Sequence, residues 1–194
     1  MYEIRASYVG LVPMMQHRFA DPSQTEKPGK KKAKGRNEAD ILACLHRDKK
    51  GVFVPADNIL MMLIGNTKRV GAAKIQGTYV EKGKGTEYLN IAKSCIWVLG
   101  PVDPMKVYLE PNRKTYDVVD ARSFINAAGS RSMAYRPILN LPWSLDFIIH
   151  VTDPNIDESK VRQFFDTAGL RCGCCAYGPT FGRCRIDKWE VKMS

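Results

Sequence analysis

Histidine is scarce in this chain: His17, His46 and His150 are the only three, and no two stand at a metal-binding spacing. No Ser/His/Asp set or nucleophile motif is visible either, so the sequence gives hydrolytic chemistry of those kinds no foothold. Six cysteines in 194 residues are too few for a disulfide scaffold. The opening residues MYEIRASYVG lack the basic start and long apolar core of a signal peptide. The thiols are therefore expected to be reduced, in a cytoplasmic protein. No apolar run approaches the roughly 18 residues of a membrane span, so no membrane partner is expected. No cofactor is expected.

Basic charge is abundant and unevenly placed. The net charge is +10 and the isoelectric point about 9.4. Lys27, Lys30, Lys31, Lys32, Lys34 and Arg36 stand together with no acid among them. Lys68, Arg69, Lys74, Lys82 and Lys84 face only Glu81, and Arg122, Arg131 and Arg136 form a third group. Arg171, Arg183, Arg185 and Lys188 against Asp187 form a fourth. These four patches carry +16, leaving −6 for the rest of the chain. Concentration of this kind favours a polyanion, because each neutralised phosphate releases counterions. A solubilising surface or an acidic protein partner is the plainer alternative.

Along the chain, Tyr2, Ile4, Ala6 and Tyr8 alternate with polar residues and predict a strand. The Lys-, Gly- and Pro-rich stretch after it loses all periodicity and reads as a long loop that orders on binding. Asn37 is placed to cap a helix over EADILACLHR, and GVFVP reads as a short strand. Asp57 is placed to cap a second helix with Ile59, Leu60, Leu63 and Ile64 as its buried face. Residues 65–85 read as Gly- and Lys-rich. Strand-like runs are expected over 90–99, 106–110, 116–124 and 132–139.

The last fifty residues are the most informative. Leu145, Phe147, Ile149 and Val151 alternate as in a half-buried strand. Asn155 and Glu158 have capping-box spacing. Val161, Phe164, Phe165 and Ala168 then fall on one helical face, with Gly169 as a stop. A loop with Gly173, Gly178 and Gly182, flanked by Arg171, Arg183 and Arg185, leads into a final strand. Glycine admits close approach of backbone to phosphate, with free N–H groups for anionic oxygens. Arginine adds bidentate contacts, and Tyr177 and Phe181 are candidates to stack on bases. Turn-forming glycines are the plainer reading of the same loop. Cys172, Cys174, Cys175 and Cys184 lack paired C-x2-C spacing and read as buried thiols, with a loop-stapling zinc as the alternative.

Strand, helix, loop and strand make half of a βαββαβ ferredoxin-like domain. The fold expected is α+β, an antiparallel sheet with helices on one face and a large central insertion. A single domain over 1–194 is expected, its core near 1–19 and 90–194 and an inserted lobe near 20–89. On the glycine loop entering Arg183 and Arg185, and on the opening strand YEIRASYVGLVPMMQHRF, the chain resembles the RAMP (repeat-associated mysterious protein) superfamily of CRISPR effector complexes. The resemblance covers about 1–19 and 143–191. It implies guide-RNA binding, with copies or other ribonucleoprotein subunits assembling along the strand.

The functional expectation is a non-catalytic protein gripping single-stranded RNA, with DNA as the alternative strand. The candidate contacts are His17, Arg18, Lys30, Lys31, Lys32, Lys34, Lys68, Arg69, Lys74, Arg171, Tyr177, Phe181, Arg183 and Arg185. Two alternatives stay open. One is a metal-independent endoribonuclease with His17 as base and Arg18 or a lysine steadying the phosphorane. The other is a phage-borne interaction or inhibitor protein.

Overall fold

The computed structural model describes residues 1–18, 38–125 and 129–193. The elements run β1 (Tyr2–Gly10), β2 (Met14–Met15), α1 (Glu38–Leu42), β3 (Phe53–Pro55), α2 (Ala56–Ile64), β4 (Gly65–Asn66), β5 (Arg69–Val70) and α3 (Ala72–Ile75). A π turn (Gln76–Val80) leads to α4 (Gly85–Ser94), β6 (Ile96–Leu99), β7 (Lys106–Glu110), β8 (Val118–Ile125), β9 (Arg131–Leu139) and β10 (Ser144–Val151). Helix α5 (Glu158–Thr167), a second π turn (Ala168–Cys172) and β11 (Cys184–Met193) close the chain.

The central strand β1 is antiparallel to β11 on one side and β10 on the other. Strand β10 in turn pairs with β6 at one end and β7 at the other, and β3 extends the sheet beyond β7. Taking β1, β6, β10 and β11 as first to fourth strands gives spatial order 4-1-3-2, with helices in both crossovers. That is the ferredoxin-like α+β arrangement. Strands β2, β9 and β8 form a separate three-stranded sheet, and β4 and β5 a small hairpin.

The strand pattern dictates which face is covered. Tyr2, Ile4, Ala6 and Tyr8 of β1 are buried beside Leu145, Phe147, Ile149 and Val151 of β10. Against them pack Ile59, Met62 and Leu63 from α2, Tyr88 and Ala92 from α4, and Val161, Phe164 and Phe165 from α5. Phe147 stacks on Phe165 at 5.8 Å, and the Tyr8 hydroxyl donates to the Phe165 carbonyl at 2.7 Å. That bond satisfies a fully buried phenol, whose ionisation burial pushes well above its ordinary range. The opposite face carries Arg5, Asp146, Ile148 and His150, with Trp97 of β6 exposed beside His150.

Several local expectations shift. Helix α5 is capped by Asp157, whose carboxylate accepts from the Ser159 N–H at 2.8 Å, not by Asn155. Asn155 is occupied in a turn, its own N–H donating to Asp153. Gly169 does not stop the helix: it lies against the Cys184 carbonyl, and the chain runs on through the π turn to Gly173. Asp57 sits in the first turn of α2 and does not cap it, since the helix follows Pro55 directly. Residues 90–94 are helical because Tyr88 and Ala92, one turn apart, face the core. Helix α1 spans a single turn, and the Asn37 cap lies outside the described residues. No helix among the described residues is long and apolar enough to cross a membrane.

Candidate nucleic-acid interface

The loop between α5 and β11 folds onto itself before it faces outward. Gly173 N–H donates to Ala168 O at 3.0 Å, Cys174 N–H to Gly182 O at 2.9 Å, and Gly182 N–H to Pro13 O at 2.9 Å. Ala176 N–H donates to Met15 O at 2.9 Å, tying the loop to β2. The N–H groups of Gly173 and Gly182 are thus spent inside the fold and are not free for a phosphate, contrary to the sequence-based expectation. What glycine supplies at Gly182 is room: with φ of +72°, a Cβ there would fall 2.1 Å from the Cys174 carbonyl oxygen. Cys175 and Tyr177 adopt left-handed φ angles of 64° and 56°, rare for residues with side chains.

The loop's aromatic rings are covered by arginines from the β8–β9 hairpin. Arg136 places its guanidinium carbon 4.8 Å from the Tyr177 ring centre. Arg122 lies 5.1 Å from Tyr177 and 5.6 Å from Phe181, and its Nε also donates to Asp120 at 2.8 Å. Arg136 Nε donates to His17 Nδ1 at 2.8 Å, while its buried Nη1 meets no hydrogen-bond acceptor among the described residues. Accepting at Nδ1 places the neutral ring's proton on Nε2 of His17. Tyr177 remains 41% exposed and Phe181 half-buried.

Between this loop, the residues after β2, helix α2 and the β4–β5 hairpin lies a cleft of about 290 Å³. His17, His46, Asn58, Asn66, Arg69 and Cys175 are among its lining residues, and among the described residues no acidic side chain is. Gln16 fixes its floor: fully buried, it donates to Phe53 O at 3.0 Å and accepts from His46 N–H at 2.8 Å. Burial, reinforced by the Arg18 charge, lowers the His46 imidazole to about 4. This ring is neutral near pH 7. Arg69 reaches toward the glycine loop, where a Cβ on Gly178 would come 3.0 Å from its Nη1.

The thiols cluster beneath. Cys172, Cys174 and Cys184 are buried, and Cys174 Sγ lies 3.6 Å from Cys175 Sγ. Burial raises Cys172 to about 11, against the lowering pull of Arg69 and Arg171, and Cys184 further still. Among the described residues no set of three metal-ligating side chains gathers.

The predicted contacts divide into four. His17, Arg69, Tyr177 and Phe181 converge on the cleft and loop, with Arg171 exposed just before it. Arg183 and Arg185 are exposed where the loop enters β11, Arg185 opposite Val9 of β1. Lys68 is exposed in the turn beside Arg69, Lys74 lies exposed on α3, and Arg18 is exposed with its N–H on Cys44 O. Lys30, Lys31, Lys32 and Lys34 lie outside the described residues. Sequence reasoning missed His46, Asn58 and Asn66, and treated Arg122 and Arg136 only as charge. The strand-like runs over 116–124 and 132–139 were the available clue that both arginines share a hairpin.

No known family's sequence profile matches the chain, and no curated protein matches it in sequence. Among solved structures, a chain of the Type III-B Cmr-beta complex bound to cognate target RNA, determined by cryo-EM, is similar at 12% identity with a TM-score of 0.49. The similarity covers 98% of this chain and 60% of that one.

Proposed function

We propose that this chain is a non-catalytic RNA-binding protein that holds a single strand along a basic track at the glycine-loop end of its ferredoxin-like core. The observation that carries the reading is the convergence of Arg69, Arg122, Arg136 and Arg171 on one strained loop, beside a cleft whose lining, among the described residues, holds no acid. Guanidiniums bind phosphate oxygens bidentately, and Arg122 and Arg136, stacked on Tyr177, remain charged while losing little freedom on binding. Lys68, Arg183 and Arg185, exposed on either side, extend the track. Tyr177 offers its exposed part to a base. Single-stranded RNA is the proposed ligand because unpaired bases are what such aromatic and arginine surfaces engage. In keeping with the resemblance over 1–19 and 143–191, the chain would serve as a ribonucleoprotein backbone subunit, several copies lining one strand.

The test is purification at moderate salt with analysis of any co-purifying nucleic acid, followed by binding of labelled RNA and DNA strands. Discrete RNase-sensitive material and tighter binding of RNA are expected, with the RNA staying intact on long incubation in EDTA. Clean protein that binds neither strand at low salt would overturn the reading. Cleavage that survives EDTA and disappears in His17→Ala would replace holding with catalysis.

A further inference from the structure

Building on the RNA-binding reading, we infer that the cleft beside the glycine loop receives one nucleobase, turned out of the bound strand, and reads its polar edge. A volume of about 290 Å³ sits at the bottom of the range for ligand pockets, near 300 Å³. It has room for one small ring system and not for a stretch of strand. The lining also suits a base better than a bare anion. Among the described lining residues Arg69 is the one permanent cation, and it stands among carboxamides, imidazoles and thioether carbon.

The hydrogen-bonding capacity left over is specific. Asn58 spends its amide N–H on a long 4.0 Å contact to Cys175 Sγ, which leaves its carbonyl oxygen as an acceptor. Asn66 accepts from Lys68 N–H at 2.9 Å through its carbonyl oxygen, which leaves its amide as a donor. The neutral His46 ring can supply one donor and one acceptor. A base edge carries adjacent donors and acceptors, and paired groups of this kind are what recognise it. Met61, 40% exposed at the cleft, supplies a polarisable surface for the base's flat face. Arg69 sits where the attached phosphate would pass on its way to the glycine loop. Among the described residues the lining holds no acid to repel that phosphate or to provide the countercharge that a cationic ligand would need.

The experiment is an abasic scan. A short labelled RNA that the full chain binds is resynthesised with one base removed at each position in turn, backbone intact. Besides the base stacked on Tyr177, one position is expected to lose about tenfold in affinity, within the range measured for single-base contacts, while the others change less than twofold. Asn58→Leu is expected to abolish that positional loss while leaving the salt dependence of binding unchanged. Met61→Ala, at an exposed site that does not threaten the fold, should shrink the loss severalfold. Nucleoside monophosphates should compete for binding where orthophosphate at equal concentration does not. Flat losses across all positions, with the strand still bound, would overturn the base pocket and leave the strand-holding role standing. Orthophosphate competing as well as the nucleotides would reduce the cleft to an anion site. Failure to bind RNA at all would remove both.

Discussion

The guanidinium of Arg136 lies 4.8 Å from the centre of the Tyr177 ring, and this contact joins the β8–β9 hairpin to the glycine-rich loop. Cation–π pairs of this kind contribute about 0.5–2 kcal/mol, more when water is excluded. A double-mutant cycle with Arg136→Ala and Tyr177→Leu in urea unfolding should return a coupling of about 1 kcal/mol. Leucine is the informative replacement because it carries the same left-handed backbone cost as tyrosine, so only the ring is lost. A coupling indistinguishable from zero would mean that the hairpin and loop are held by other contacts.

Gly182 and Gly83 both have positive φ, +72° and +89°, yet they should respond differently to alanine. At Gly83 a Cβ meets nothing within 4 Å, so Gly83→Ala costs only the left-handed penalty, about 1 kcal/mol. At Gly182 the added carbon falls 2.1 Å from Cys174 O, and relief requires breaking the 2.9 Å Cys174–Gly182 hydrogen bond. Gly182→Ala should cost about 3 kcal/mol, lowering Tm on the order of 6–12 °C in a chain of this size. Equal Tm losses in the two variants would show that the loop is not the tightly self-packed unit described above.

The C-terminal half of the fold was legible because its periods are clean. Leu145 to Val151 keep a strict period of two, and Val161, Phe164 and Phe165 keep a helical one, so both buried faces could be named. The helices between residues 56 and 94 were harder. Part of their buried surface is Ala72, Ala73 and Gly77, small residues that leave no hydrophobic stripe. The cleft was not legible at all. His17, His46, Asn58, Arg69 and Cys175 come from separate turns and elements, and only the tertiary fold brings them together. The loop's composition reflects two separate roles: its glycines serve self-packing, and the arginines supply the charge.

Acid should weaken the fold through His46 before it reaches most carboxylates. The ring's folded value is about 4, below the ordinary 6.5 of the unfolded chain, chiefly because burial penalises its charge. Between these values the unfolded state binds a proton that the folded state does not, so stability rises with pH across this window. The contribution is complete above about 6.5 and is lost as pH falls toward 4. Allowing for solvent screening of a half-buried ring, the loss is about 1–2 kcal/mol. Urea midpoints measured at pH 7 and pH 4.5 should therefore draw closer together in His46→Gln than in the parent chain. Parallel profiles in the two proteins would show that the ring titrates normally.

Arg183 and Arg185 provide the sharpest separation between strand holding and base reading. Both are exposed at the start of β11, away from the cleft lining, so each acts through phosphate or not at all. For single strands the logarithm of affinity falls with the logarithm of salt at about 0.7 per phosphate contact. Replacing both by alanine should therefore flatten that slope by about 1.4 and weaken binding at low salt equally for every RNA sequence. The fold should be untouched, because neither side chain is buried. Lys68→Ala, on the other flank of the cleft, should remove about 0.7 on its own, and the effects should add if one strand crosses both sites. A slope unchanged in the double variant would place the strand elsewhere, and the open sheet face carrying Arg5 and Trp97 would be the next surface to test.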